Sequence, residues 1–385
     1  MAETVGRRNP NSREGWRRLG AFWLTVVSLG AVAFCALQWL GPPTGASLAA
    51  VGKKPPEPVR LAAGSDAAAD HPPAIIPAPP AATPLHALVP PVVAGRDTPG
   101  PINDPDPALL EQFGEGSTHN LPRIASDGRT AMIVYAAGFD HSSRRPRIGL
   151  LLAGIGMNEV ESDAAIRALP AAVSLAVSPY AASNGARLAK LLATARANGH
   201  EYLIEIPLEP AGFPSNDPGP STLLTSVSAP MNAQNLHWAL SRVDGYVGAT
   251  GVIGTMRGER LAAMTDQMDA VLSELSGRGL LYVDPRESAG PISRTWGRRA
   301  DLVIDDPADQ VAADRTMIDA KLAALEQQAK QTGSALGLVM RPTPSVVAGI
   351  TAWSNGLTDR GLTLAPVSAL TIPPADKPVK LTERD

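Results

Sequence analysis

The stretch from Ile148 to Gly154 reads IGLLLAG and contains no charged or polar side chain. A short run that is apolar throughout is typical of a strand covered on both faces, as in a parallel sheet. The next segment, Glu159 to Leu169, has helical periodicity and ends at Pro170. Because a buried strand followed by a helix is half of a βαβ unit, this stretch predicts an α/β fold.

The same alternation continues along the chain. Further apolar runs predict strands at 173–177, 201–207, 250–253, 280–284, 301–305, 335–340 and 362–367. Apolar spacing and glycine or proline stops predict helices at 183–198, 232–243, 260–276, 307–331 and 345–355. So many units favour a deformed (β/α) barrel of about seven parallel strands, with an open doubly wound sheet as the alternative. In such a barrel, functional side chains lie at the carboxyl ends of the strands.

Composition excludes several classes of function. The net charge is −3, which argues against a protein that binds nucleic acid through phosphate contacts. Cys35 is the single cysteine, so no internal disulfide and no cysteine-based zinc cluster can form. The six histidines of the 385 residues include only two after residue 145, His200 and His237, and we expect both to be surface or packing residues.

The N-terminus predicts a membrane anchor. Residues 19–40 carry no charge and would span ~33 Å as a helix, enough for a bilayer core of ~30 Å. Five arginines precede the span, within residues 1–18. The positive-inside rule then predicts a cytoplasmic N-terminus, a single pass through a bacterial inner membrane and a folded domain in the periplasm. A cleaved signal peptide is the alternative.

Proline and alanine dominate the next segment. Residues 41–118 include runs such as HPPAIIPAPPAATP (71–84) and predict a disordered, extended linker. The folded domain is expected at 119–375, followed by a tail at 376–385. The segment IVYAAGF (133–139) could add a further strand.

An ordered series of motifs suggests a family. Its most specific members are RIGLLLAGIG (147–156), GHEYLIEIPLEP (199–210), GYVGATGVIGTMRG (245–258) and RGLLYVDPRESAG (278–290). From about Arg147 to Thr371 the chain resembles the divergent polysaccharide deacetylase family, a branch of the NodB-like carbohydrate esterases. The resemblance implies a barrel that uses zinc or another divalent metal to hydrolyse an N- or O-acetyl group on a sugar.

The family's metal and base residues are missing from the matching positions. Ala153 and Gly154 stand where the family has a pair of aspartates, and Thr255 and Arg341 stand at two histidine positions. Glu205 stands where a further histidine is often found. Because catalytic zinc needs about three protein ligands, the sequence predicts no bound metal, no other cofactor and no catalytic residue of the family type.

Charged residues remain at the predicted strand ends and are candidate substrate-binding groups. They are Glu209, Arg257, Asp284, Arg286, Asp305 and Arg341. Asp284 and Arg286 could bind sugar hydroxyls, or could pair with each other and order only the barrel rim.

Two other uses of the acidic residues are conceivable. Glu205 and Glu209 could form the acid–base pair of a glycosidase, although structural use of Glu209 in its loop is the stronger interpretation. Asp284, Asp305 and Asp306 could form an unusual carboxylate metal site. Both hypotheses receive little weight beside the binding role.

Three functions therefore remain open. The favoured hypothesis is a non-catalytic member of this group that binds an envelope glycan or a peptidoglycan-associated protein. The alternatives are an active deacetylase with a rearranged metal site and a scaffold for envelope assembly. The partners expected are the inner membrane, through residues 19–40, and an envelope glycan or protein, with no nucleic acid.

Overall fold

The computed structural model describes residues 96–114, 119–287, 290, 292, 294–305 and 315–374. The predicted N-terminal segment 1–18, membrane helix 19–40 and tail 376–385 lie outside these residues, as does most of the predicted linker. Within the described ranges, no helix is long and apolar enough to cross a membrane.

A parallel sheet forms the centre of the described chain. The strands are β1 (Leu110–Gln112), β2 (Asn120–Pro122), β3 (Arg147–Ile155), β4 (Ser174–Val177), β5 (Tyr202–Glu205), β6 (Gly248–Thr250), β7 (Leu281–Asp284), β8 (Gly297–Arg299), β9 (Leu302–Val303), β10 (Ser334–Val339) and β11 (Thr363–Leu364). β1 and β2 form a separate antiparallel pair, and the others belong to the central sheet. All nine residues of β3 are buried, as its apolar sequence predicts.

Helices cover this sheet and follow its strands along the chain. They are α1 (Ala131–Val134), α2 (Glu159–Ala168), α3 (Gly185–Ala197), α4 (Ala229–Leu240), α5 (Glu259–Ala262), α6 (Thr265–Gly277), α7 (Arg315–Thr332) and α8 (Pro344–Ser354). Asn158 starts α2, because its side-chain oxygen accepts hydrogen bonds from the N–H groups of Val160 and Glu161. The buried residues of α7 include Ile318, Leu322 and Leu325, at the spacing of a helix that packs on a sheet.

The sheet is curled, and the strands at its two edges, β8 and β9, are consecutive in the chain. The strand order is β8-β7-β6-β5-β4-β3-β10-β9, and every neighbouring pair is parallel. β8 and β9 are separated only by Ala300 and Asp301. The Ala300 N–H donates to the Asp284 carbonyl and the Asp301 N–H donates to the Leu336 carbonyl. The curled parallel sheet with its surrounding helices is consistent with the deformed barrel predicted above.

Part of the segment assigned to the linker packs on this core. Leu109 is fully buried and Ile102 is 6% exposed. The Ile102 N–H donates to the Arg196 carbonyl in the last turn of α3, and the Tyr135 hydroxyl accepts from the Asp106 N–H. Proline content alone therefore does not mark where the packed chain begins, since prolines also occur in extended segments that lie on a core.

Two predicted elements are wrong in form. IVYAAGF (133–139) contains no strand, because α1 ends at Val134 and the rest is loop. The predicted helix 260–276 is two helices, α5 and α6, separated by Ala263 and by Met264, which has an extended conformation. The carbonyl of Glu209 accepts from the N–H groups of Arg260 and Leu261, so a loop contact that periodicity cannot show fixes α5 separately.

Candidate functional site

A cavity opens at the carboxyl ends of the central strands. Its volume is about 430 Å³, within the range of roughly 300–1,000 Å³ usual for small-molecule sites. Gly154, Glu205 and Arg341 lie in its wall, at the ends of β3, β5 and β10. We call this space the mouth cavity; it is lined by Gly154, Met157, Asn158, Glu161, Ser178, Tyr180, Glu205, Pro218, Ile253, Gly254, Met256, Met340, Arg341, Pro342 and Thr343.

Glu205 is the buried acid of the mouth cavity. Its side chain is fully buried, and its Oε1 accepts a hydrogen bond of 2.7 Å from the Gly154 N–H. Its Oε2 has no hydrogen-bond partner among the described residues. Burial raises the pKa of Glu205 to about 8, although the Gly154 bond opposes this shift. Glu205 is therefore mostly protonated at pH 7, and its Oε2 can donate a hydrogen bond.

Hydroxyl groups lie beside this acid. Ser178 is fully buried one residue past the paired positions of β4 and β5, so it neighbours Glu205 across the sheet. Thr250, also fully buried, is the register partner of Glu205 on β6. The hydroxyl oxygens of Ser178 and Thr250 are buried without hydrogen-bond partners among the described residues. Buried polar atoms are rarely left unpaired, so this group marks a place where a ligand or water belongs.

Three of the five family positions, Gly154, Glu205 and Arg341, line the mouth cavity, and only Glu205 among them has a side chain of a metal-ligating type. Gly154 contributes only backbone, with a φ of 76° that favours glycine. Thr255 is exposed in the tight turn between Ile253 and Met256, and it does not line the cavity. Arg341 brings a cation to the cavity wall.

These residues do not fit a divalent metal. Across the described ranges, no group of three or more His, Cys, Asp or Glu side chains is arranged to hold one. The mouth cavity offers two acidic side chains, Glu205 and Glu161, and its lining contains no histidine or cysteine. A zinc site needs three or four nitrogen, sulfur or carboxylate ligands, so no catalytic step is assigned to a metal here.

Asp284 and Arg286 form a close ion pair. The Arg286 guanidinium donates to both Asp284 oxygens, at 2.9 and 2.6 Å. The Asp284 Oδ1 also accepts from the Arg286 N–H at 3.0 Å. Asp284 is 4% exposed and neither residue lines the mouth cavity. The pair therefore has the rim-ordering geometry that the sequence left open as an alternative.

Glu209 and Arg257 also hold the surrounding loops. Glu209 is 2% exposed; its Oε1 lies 3.0 Å from Arg260, and its Oε2 accepts from the Thr225 N–H. Arg257 lies 3.5 Å from Glu259. Neither side chain lines the mouth cavity, so Glu205 and Glu209 do not form a glycosidase pair within it.

Asp305 supports the cavity from behind. Its two oxygens accept from the N–H groups of Met340 at 2.6 Å and Arg341 at 3.1 Å, immediately after β10. Burial raises the pKa of Asp305 to about 6, against the lowering effect of these two bonds. Asp305 therefore fixes the backbone that carries Arg341, and Asp306 lies outside the described residues.

The two histidines after residue 145 contact other elements of the fold. His200 is fully buried, and its ring nitrogens lie 2.8 and 3.0 Å from the carbonyl oxygens of Val173 and Ile166. His237 on α4 lies 2.7 Å from Glu274 on α6. Both match the expectation of packing or surface residues.

Three residues of the mouth cavity were missed as binding candidates in the sequence. Ser178 and Tyr180 belong to the motif SPY (178–180) that follows the second predicted strand, and this position at a strand end was the available signal. Glu205 was recognised at a family ligand position but was not placed among the binding residues. Its importance depends on burial and on an unpaired oxygen, which only the fold reveals.

Comparisons with known proteins agree with this architecture. The family model described as divergent polysaccharide deacetylase matches residues 150–371. A crystal structure of an uncharacterized protein from Agrobacterium tumefaciens C58 is 30% identical, with a TM-score of 0.58 over 66% of this chain and 99% of that chain.

Two further solved structures are more distant. The catalytic domain of a peptidoglycan N-acetylglucosamine deacetylase from Eubacterium rectale is 12% identical, with a TM-score of 0.37 over 60% of this chain and 93% of that chain. A family 4 carbohydrate esterase from Streptomyces lividans in complex with acetate is 11% identical, with a TM-score of 0.35 over 60% and 100%. No curated protein matches this sequence. The family match spans more than half of the chain, and the protein belongs to the divergent polysaccharide deacetylase family.

Proposed function

We propose that this protein is a glycan-binding member of its family that does not carry out metal-dependent deacetylation. The mouth cavity is the observation that carries the proposal. It lies at the strand ends where the family's motifs converge, yet Gly154, Glu205 and Arg341 provide a hydrogen-bonding surface without a metal site. A glycan requires such a surface, since its hydroxyl groups pair with buried polar atoms.

The lining of the mouth cavity suits a polar ligand that also has a carbon skeleton. Ser178, Tyr180 and Glu205 supply buried oxygens. Met157, Ile253 and Met340 supply apolar surface for the carbon skeleton of a sugar. Ligand pockets commonly combine a mainly apolar lining with a few polar groups that fix orientation.

The proposed setting is the cell envelope. The charge-free segment 19–40 and the arginines before it support a single inner-membrane anchor, with the domain in the periplasm. The proline-rich segment 41–95 supports a spacer between anchor and domain. The ligand would then be an envelope glycan such as peptidoglycan.

A blocked cavity tests this function. Titration of the full-length protein with N-acetylglucosamine and glucosamine oligosaccharides, in a non-ionic detergent with EDTA, should show saturable binding. Thr343→Trp, which fills the cavity wall, should abolish binding. Thr358→Trp, at an exposed site outside the cavity, should leave binding unchanged.

The same titration separates the alternatives. Binding that neither substitution affects would place the glycan site elsewhere and contradict the proposal. No binding to any oligosaccharide would favour the scaffold role. Acetate release after zinc addition, if removed by Thr343→Trp, would establish the active deacetylase with a rearranged site.

A further inference from the structure

Within the part of the chain that the structure describes, no charged group pairs with the buried acid of the mouth cavity. The influences that shift the pKa of Glu205 are burial and the Gly154 N–H, with no resolved contribution from a charged group. Its Oε2 remains unpartnered among the described residues although the side chain is fully buried. A buried carboxylate without a partner is costly, and the usual remedies are protonation or pairing with a cation.

The groups around Glu205 favour one kind of cation. Ser178 Oγ lines the same cavity, and Thr250 Oγ1 belongs to the register partner of Glu205. Both oxygens are also buried without partners in the described chain. A primary ammonium group has three N–H donors and no acceptor, so it matches three acceptor-capable oxygens. An acetamido group brings one donor and one acceptor and would leave more of these oxygens unpaired.

The charged groups that face the mouth cavity are few. Glu161 on α2 and Arg341 after β10 line it, while Asp305 on the chain after β9 lies behind it and is engaged by the N–H groups of Met340 and Arg341. Arg341 carries one positive charge and Glu161 one negative charge, so an arriving ammonium meets no net repulsion from the wall. The attraction at the buried end of the cavity comes from Glu205.

We infer that the mouth cavity takes the primary ammonium group of a de-N-acetylated amino sugar, held by Glu205 and Ser178. This inference rests on the proposed glycan-binding function and names the substituent that the site selects. It places the protein after a deacetylation reaction, because only that class of reaction converts an N-acetylated sugar into the free amine.

The protons balance in either form of the ligand. A neutral amine takes the proton of Glu205 and leaves an ion pair with no net release. A charged ammonium displaces that proton to solvent. Sugar amines resemble α-amino groups, whose pKa is about 8, and burial sets the pKa of Glu205 to about 8 as well, so both routes operate near neutral pH.

The test compares two trisaccharides that differ only in acetylation. Full-length protein at pH 7 is titrated calorimetrically with the glucosamine trisaccharide and with the N-acetylglucosamine trisaccharide. The free amine should bind at least about tenfold more tightly, as expected for a hydrogen bond to a charged group. Titration in buffers of different ionisation enthalpy should detect protons released on binding of the amine.

Substitutions identify the responsible groups. Glu205→Gln keeps an oxygen for the Gly154 N–H but removes the ionisable group, so it should remove the preference for the amine and the proton release. Ser178→Ala should weaken amine binding without removing proton release. Glu159→Gln, an exposed glutamate on α2 outside the cavity lining, is the matched control and should change neither quantity.

Each remaining outcome counts against a defined claim. Equal binding of both sugars, or tighter binding of the acetylated sugar, overturns the inference and leaves the proposed glycan function standing. A preference for the amine that survives Glu205→Gln also overturns it. Absence of binding by either sugar overturns the glycan function and this inference with it.

Discussion

Replacing Glu205 with glutamine should flatten the pH dependence of stability. Burial raises the pKa of Glu205 from an ordinary 4.5 to about 8 in the folded state. Between these values the unfolded chain has lost the proton that the folded chain keeps. The free energy of unfolding therefore falls as the pH rises, by about 1.4 kcal/mol per pH unit in the middle of the window.

The size of the effect follows from the shift. A difference of 3.5 in pKa (8 minus 4.5) corresponds to about 5 kcal/mol across the whole window, at about 1.4 kcal/mol for each unit. Between pH 5 and pH 7 alone, wild type should lose about 2.5 kcal/mol relative to Glu205→Gln. Glutamine keeps the size of the side chain and does not ionise, so its own curve lacks this contribution.

The assay is chemical denaturation followed by circular dichroism. Full-length wild type, Glu205→Gln and the exposed control Glu159→Gln are unfolded at pH 5, 6 and 7. The free energy of unfolding of the control should change with pH as that of wild type does. The free energy of unfolding of Glu205→Gln should rise relative to that of wild type at each higher pH. A difference between wild type and Glu205→Gln that is constant with pH would show that Glu205 is ionised in the folded protein and refute the reasoning.

Three further substitutions probe residues that we assign to structure rather than to binding. Asp284→Asn should lower the free energy of unfolding by about 2–4 kcal/mol, because it leaves a half-buried Arg286 without its ion pair. Denaturation should show this loss, and oligosaccharide affinity should stay unchanged. Burial raises the pKa of Asp305 to about 6, so wild type should lose stability as the pH rises from about 4 to about 6. Asp305→Asn should remove this loss, which a series of melting temperatures over that pH range measures. Glu201→Ala should destabilise by about 3 kcal/mol or more, because Glu201 accepts hydrogen bonds from Ala137, Ser174 and Ser368, and unchanged stability by denaturation would contradict that role.

Much of the architecture could be predicted from local patterns. Strand β3 and helix α2 lie within one residue of their predicted bounds, because a wholly apolar run and a helical pattern that ends at Pro170 are local signals. The break before α6 could not be predicted in this way, since it depends on the contact of Glu209 with α5. The packing of Leu109 was likewise missed, because a proline-rich neighbourhood hides a single buried residue.

The position of the mouth cavity could be predicted from the sequence, but most of its binding residues could not. Strand ends and the family motifs indicated where the mouth cavity lies, and Arg341 was expected there. Asp284 was equally conspicuous in sequence, yet Arg286 occupies both of its oxygens. Glu205, by contrast, has an oxygen that pairs with none of the residues the structure describes. The Asp284–Arg286 pair joins residues two apart and could be raised from the sequence. The surroundings of Glu205 depend instead on distant segments such as Gly154, which composition and spacing do not encode.

The central claim is that the mouth cavity binds a glycan without a metal. Its most direct test is the dissociation constant of the full-length protein for the glucosamine and N-acetylglucosamine trisaccharides, measured once with EDTA and once with excess zinc. The account predicts binding with EDTA and the same constants with zinc, since the lining of the cavity offers no set of metal ligands. Binding that occurs only with zinc would contradict it.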